Sequence, residues 1–363
     1  MTAEAGTADV FLTEILGQPD AFRRAGWWIV DQLDRLERLL DARTGRAAGS
    51  IVLSGMGSSL DACRAAATVL AGRGVLATVV NTAELLHFRL STFGSSTLLV
   101  VLSQSGASVE VVRLADAVGS RADRPFLLAI TNGIANPLAE RADLVLDTRV
   151  GPEVGPATGT FAGSLVVLAA VVEALAPAAD LESAVRRVVD AAELAAGVGA
   201  GLLVAPERSA ERLVTWLGDR GVLAILGRGT ARAAAEMGAL TIKEAASFPA
   251  EAYETAGFRH GPLELAGPTL AAAVIATEEA TAPLDRAFAA ELAADGAAVL
   301  LIGGGDGTAA MPGVESVDVG VVDRMLAPAV SVIPLQLLAW RLGIDRGRRS
   351  GEFIRAAKVT MRE

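Results

Sequence analysis

Cysteine, histidine and tyrosine are all scarce in this chain: 363 residues hold one Cys, two His and one Tyr, and aromatic residues make up 4%. Cys63 has no second cysteine for an internal disulfide, and its neighbours Asp61, Ala62 and Arg64 mark an ordinary helix position rather than an activated thiol. A reducing, cytoplasmic setting is the expectation. Two distant histidines and one thiol give no metal-ligand spacing, so no metal is expected. Basic residues are also short. The 32 Lys and Arg against 42 Asp and Glu leave a formal charge of -10, which argues against a nucleic-acid surface. A small anionic ligand stays open, because backbone N–H groups and hydroxyls hold a phosphate without a positive field.

Other signatures are missing too. The N-terminal stretch MTAEAGTADVFLTEILGQ has acids where a secretion signal needs bases, and no continuous apolar segment. The longest apolar run, Phe161 to Val172 and on past Glu173 to Ala179, is interrupted by that Glu and by Pro177, so it reads as a buried helix and not a membrane span. Gly55-x-Gly57 is followed by Ser59 and Leu60 where a dinucleotide fingerprint needs a third glycine. No Gly-x-Ser-x-Gly elbow surrounds Ser103, Ser105 or Ser108.

What the chain does have is alternation. Short Val-, Ile- and Leu-rich runs at Ile51–Ser54, Leu76–Val80, Leu98–Leu102, Phe126–Ile130 and Leu144–Asp147 alternate with longer Ala-rich segments. The same pattern returns at Val222–Leu226, Leu270–Ile275, Val299–Ile302 and, less clearly, Val314–Val321. This is the signature of α/β units whose parallel sheets are buried on both faces. A connecting helical pair is predicted from Leu181 to Leu217, with a boundary near Ala200, and an N-terminal helical segment over roughly Asp20 to Leu40. IVLSGMGSSLDACRAAATVL and VLAILGRGTARAAAEMGALTIKE share one pattern of strand, Gly-x-Gly-hydroxyl turn and Ala-rich helix, so two similar halves are expected in tandem. The expected divisions are an N-terminal helical segment 1–45, a first domain 46–195, a second domain 196–345 and a C-terminal loop 346–363.

Two stretches carry candidate chemistry. Leu102-Ser-Gln-Ser-Gly-Ala-Ser108 follows a strand and precedes a helix, which puts Ser103, Ser105, Ser108 and Gln104 at a helix N-terminus that favours an anion. An ordinary Ser-rich cap explains the turn equally well on pattern alone. Gly57 and Ser59 form a second such turn, able to reach the same ligand. In the other stretch, Glu244 closes an Ala-rich helix and His260 precedes Gly261-Pro262. Glu244 is either a partly desolvated base or an exposed helix-end acid, and His260 either a rigidly projected imidazole or a packing residue. His87, between Leu86 and Phe88, reads as structural.

Together these residues resemble the sugar isomerase (SIS) domain family, and the similarity extends over nearly the whole chain. It is carried by Glu14-Ile-Leu-Gly-Gln-Pro-Asp20, Gly57-Ser-Ser59, Leu102-Ser-Gln-Ser-Gly106, Glu153-Val-Gly-Pro-Ala-Thr158, Lys243-Glu244, Ala250-Glu-Ala-Tyr253, His260-Gly-Pro-Leu263 and Lys358-Val-Thr360. The nearest pattern is the isomerase half of glucosamine-6-phosphate synthases, with the related glucosamine-6-phosphate deaminases and fructosamine-6-phosphate deglycases. No glutamine-hydrolysing domain is expected ahead of it.

The resemblance implies two tandem SIS domains, each a parallel β-sheet flanked by helices in a flavodoxin-like αβα sandwich. It implies a phosphosugar aldose-ketose isomerase or deaminase acting on an amino-sugar phosphate, with a deglycase or a non-catalytic phosphosugar sensor as alternatives. Gly57, Ser59, Ser103, Gln104, Ser105, Ser108 and Thr158 would hold the substrate and its phosphate. Glu244 would move the C1–C2 proton, His260 would open the ring from a neighbouring subunit, and Lys358 would meet the open-chain carbonyl, by imine or by charge. A homodimer with shared sites is implied, with no cofactor, nucleic acid or membrane. Thr241 and Thr160 stand where the synthase pattern has lysines.

Overall fold

Branched and Leu-rich runs of four to seven residues, too short for stable helices, become strands wherever both faces can be covered. The computed structural model describes residues 9–46, 49–177, 180–305 and 311–362, so the first eight residues of the expected N-terminal segment lie outside it. The first sheet contains β1 (Ile51–Gly55), β2 (Ala77–Asn81), β3 (Leu98–Leu102), β4 (Phe126–Thr131) and β5 (Leu144–Asp147), in the order β2-β1-β3-β4-β5. The second contains β6 (Val222–Gly227), β7 (Ala250–Glu254), β8 (Leu270–Ala276), β9 (Ala298–Gly303) and β10 (Val314–Asp318), in the order β10-β9-β8-β6-β7. Every pairing between these strands is parallel. Read from its other edge, the second sheet has the order of the first, which is the tandem arrangement the repeat predicts.

The central strands β1, β3 and β8 are buried along their whole length, as continuous apolar runs require. Edges differ. β7, with the sequence Ala-Glu-Ala-Tyr-Glu, buries only its first residue, so it carries no apolar run to mark it as a strand. It forms because β6 offers a free edge, with Leu226 beside Tyr253.

One hydrophobic core runs through both halves, joining Leu53 and Val100 of the first sheet to Ile225 and Ile275 of the second. The helices Ser58–Gly72, Gly159–Leu175, Ala231–Ala246 and Ile333–Asp345 lie between. The Gly159–Leu175 helix is buried throughout except at Glu173, which explains its apolar sequence without a membrane. The helical run Ala327–Asp345 is long and apolar enough to span a bilayer, but 89% of it is buried inside the fold. The helix Leu181–Leu202 passes unbroken through Ala200 and is followed by Pro206–Leu217.

Buried amides tie the N-terminal region to the last helix. Gln18, fully buried, donates from Nε2 to Gln336 Oε1 at 2.8 Å and to Ile15 O at 3.1 Å. Gln336 donates in turn to the carbonyl of Ala157 at 3.3 Å. Asp9 caps the Val10–Leu16 helix through Leu12 N, accepts from Trp340 Nε1 at 2.5 Å, and accepts from Ser350 Oγ. The start of the chain, its last helix and its tail are thereby fastened together.

The last helix meets the backbone of the Ala231–Ala246 helix at Gly343, where a Cβ would lie 2.6 Å from the carbonyl oxygen of Ala245. Only a glycine fits, since backbone cannot retreat as a side chain can. Gly343→Ala is expected to destabilise the protein by about 1–3 kcal/mol, the usual effect of overpacking. Thermal denaturation checks this, and an unchanged midpoint would show that the two helices are free to separate.

Candidate functional site

The carboxyl ends of β1 and β3 open onto a cavity of about 220 Å³, at the crevice where open parallel sheets take ligands. Its walls include Gly57, Ser59, Ser103, Gln104, Ser105 and Ser108 from the two turns, Leu240 and Glu244 from the Ala231–Ala246 helix, and Lys358 from the tail. Roomier hollows of about 620 Å³ beside Trp28 and Arg149 and about 430 Å³ beside Arg286 lack this combination.

The serines do more than one job. Ser103 Oγ accepts from Gly106 N and Ser105 Oγ from Ala107 N, both at 3.2 Å, which shapes the turn. Ser108 occupies the cap position of the Val109–Gly119 helix, yet its side chain makes no capping hydrogen bond. An ordinary cap therefore does not account for it. Val109 N donates to Thr360 O at 3.0 Å, so the tail is laid across the start of this helix.

Glu244 reaches the cavity because Leu240, one turn earlier, shares its helix face. Burial raises its pKa, the Lys358 ammonium pulls it down and the Glu153 carboxylate pushes it up, leaving a value of about 7. Desolvation outweighs the nearby cation, so a carboxyl whose ordinary value is 4.5 titrates near neutrality.

Glu153 is the residue that sequence reasoning missed as a site member. It is 8% exposed and accepts from Thr158 N and Thr158 Oγ1 at 2.8 Å each and from Thr160 N at 3.1 Å. Thr160 Oγ1 also donates to it, and Lys358 Nζ lies 2.7 Å from its Oε2. Lys358 gives a second hydrogen bond to Gly155 O at 2.7 Å. Glu14 holds the same loop from outside, accepting from Val154 N and Gly155 N. Burial raises the Glu14 pKa more than these bonds lower it. The Glu153–Thr158 stretch was legible as a motif, but no local pattern distinguishes a buried acid from a solvated one.

Not every candidate meets the others. Thr158 is buried with its hydroxyl spent on Glu153, and Thr160, two residues further and also bonded to Glu153, is the threonine that lines the cavity. Thr241 is fully buried, its hydroxyl without a hydrogen-bond partner among the described residues. His260 is exposed, on the turn after the Thr255–Phe258 helix, with its backbone N–H on Gly257 O, and is absent from the cavity wall. Within one chain, Glu244 therefore shares the cavity with Lys358 and not with His260. Among the described residues no cluster of His, Cys, Asp and Glu is arranged to hold a metal.

Known proteins share this architecture. The chain is 28% identical over 357 residues to a glutamine–fructose-6-phosphate aminotransferase (isomerizing) from Pyrobaculum aerophilum, covering 96% of this chain and 56% of that protein. It thus spans about half the length of the curated relatives it matches. The C-terminal domain of glucosamine-fructose-6-phosphate aminotransferase from Francisella tularensis superposes with a TM-score of 0.82 at 21% identity, over 99% of this chain and 100% of that one. Glucosamine-6-phosphate deaminase from Thermotoga maritima gives 0.75 at 18% identity, over 97% and 99% of the two chains. The SIS domain matches residues 46–176 and again 217–342, one match to each sheet, and the chain belongs to the SIS domain family.

Proposed function

We propose that this chain is an enzyme that moves a proton between C1 and C2 of an amino-sugar phosphate, interconverting aldose and ketose forms or releasing the amine. The observation that carries this reading is a carboxyl titrating near 7, an ammonium and a hydroxyl-rich double turn in one small cavity. The names of the relatives, each of which cites a sugar 6-phosphate, point to the same substrate class.

The chemistry follows from the parts. Backbone N–H groups and hydroxyls of the two turns anchor the phosphate, which fixes the far end of the sugar. The ionised Glu244 takes the proton from carbon and returns it to the neighbouring carbon, a task suited to a base poised near the working pH. Lys358 has three N–H donors, of which Glu153 and Gly155 engage two. The third is available to the substrate's carbonyl oxygen, where a positive charge stabilises the developing enediolate. His260, exposed and outside its own chain's cavity, supports ring opening in the site of a second subunit.

Loss of the base should separate binding from chemistry. Glu244→Gln is expected to lower carbon-bound deuterium exchange from D2O by about 10²-fold or more while sugar-phosphate binding persists. Ser103→Ala with Ser105→Ala should do the reverse, weakening phosphate binding far more than it lowers the melting temperature. Exchange surviving intact in Glu244→Gln would make that carboxyl structural and overturn its role as base, whereas no exchange in the wild-type protein on any sugar phosphate would favour a non-catalytic sensor.

Activity should rise with pH through about 7 as Glu244 ionises. Because the Lys358 charge holds that value down, Lys358→Ala should move the rising limb to higher pH, besides slowing turnover. Borohydride should trap no adduct if Lys358 acts by charge. An adduct mapped to Lys358, distinguishable from Lys243 as the chain's one other lysine, would establish an imine instead.

Mixed subunits test the shared site. Glu244→Gln and His260→Ala proteins, each inactive on cyclic substrate, should regain about a quarter of wild-type activity when refolded together, since about half of the dimers are mixed and one of the two sites in each is intact. No recovery in a demonstrated heterodimer would confine His260 to another role.

A further inference from the structure

The two halves share a strand order and a turn pattern, yet their ligand crevices differ in one respect. In the first, Gly55-Met-Gly-Ser58 after β1 faces Ser103-Gln-Ser105 after β3, and neither turn carries an acid. In the second, Gly227-Arg-Gly-Thr230 after β6 faces Thr277-Glu-Glu279 after β8. Glu278 stands where Gln104 stands, as the second residue beyond its strand. Gly57 and Gly229 have matching left-handed backbones, with φ of 51° and 56°.

Glu278 turns back into the crevice and is 5% exposed. Its Oε1 accepts from Thr230 N at 2.7 Å and from Thr230 Oγ1 at 2.6 Å, at the start of the Ala231–Ala246 helix. Its Oε2 lies 2.7 Å from Arg324 Nη2. A Cβ on Gly229 would come within 2.8 Å of the carboxylate, so the turn is wrapped closely around it. The turn's own cation, Arg228, is held 2.8 Å from the fully buried Asp285. A backbone N–H, a hydroxyl and a guanidinium around one oxyanion are the donors that would hold a phosphate.

We propose that Glu278 is an internal surrogate for phosphate, filling the anion cradle of the second sheet so that each chain binds phosphosugar in its first half alone. The first-half part of this statement rests on the function proposed above; occupancy of the second cradle does not. The same contact pins the first turn of the Ala231–Ala246 helix.

The test removes the first-half turn before asking about the second. In a Ser103→Ala/Ser105→Ala background, calorimetric titration with inorganic phosphate should show only weakened binding, and adding Glu278→Ala should add about one equivalent per chain. Sulfate should compete with it, and chloride at matched ionic strength should not. Glu278→Gln should create none, because its amide oxygen still fills the cradle. A folded Glu278→Ala protein that gains no phosphate binding would overturn the proposal. If that variant folds poorly, its melting temperature in phosphate and in chloride is the readout: a rise specific to phosphate supports an emptied cradle, and equal values overturn it. Unweakened phosphate binding in the serine background without Glu278→Ala would instead count against the first-half reading, so the two failures are distinct.

Discussion

The ion pair between Glu153 and Lys358 is the contact on which the site depends. Burying a carboxylate costs several kcal/mol unless it is paired and its lone pairs are filled. Glu153 meets that condition with donors from Thr158, Thr160 and Lys358. Satisfying it fixes the loop before the Gly159–Leu175 helix, brings a residue 205 positions away into the cavity and spreads the tail over the turn at Ser108. Glu14 and the Gln18–Gln336–Ala157 chain brace the same loop from the N-terminal side.

This arrangement also sets the chemistry of Glu244. Burial and Glu153 push its pKa up while Lys358 pulls it down, and burial prevails. The sign of the stability effect follows. A carboxyl whose pKa is raised on folding binds its proton more tightly in the folded state, so its contribution is fully present below about 4.5 and is lost as pH rises through about 7. Burying Glu244 in this position therefore costs stability near neutral pH.

Duplication of a sheet does not oblige duplication of a site. The halves agree in strand order, in Gly-x-Gly-hydroxyl turns and in a shared core, because those features are set by backbone pairing and apolar burial. They differ in the side chains at the strand ends. The first half offers hydroxyls and an amide to its cavity, whereas the second places buried carboxylates against its own cations.

The sequence by itself determined nine of the ten strands, the two parallel sheets, the buried nature of the 161–172 run and the hydroxyl-rich turns after β1 and β3. Those features are written in local apolar periodicity and in turn residues of fixed spacing, which act over a few neighbours. It did not mark β7, whose residues alternate polar and small and become a strand only beside β6. Nor did it show that Thr160 and not Thr158 faces the cavity, that His260 lies outside its own chain's cavity, or that Glu153 is buried under Lys358. Tertiary structure alone decided these, because burial, ion pairing and the pKa of an acid depend on groups that the chain brings together from as much as 205 residues away.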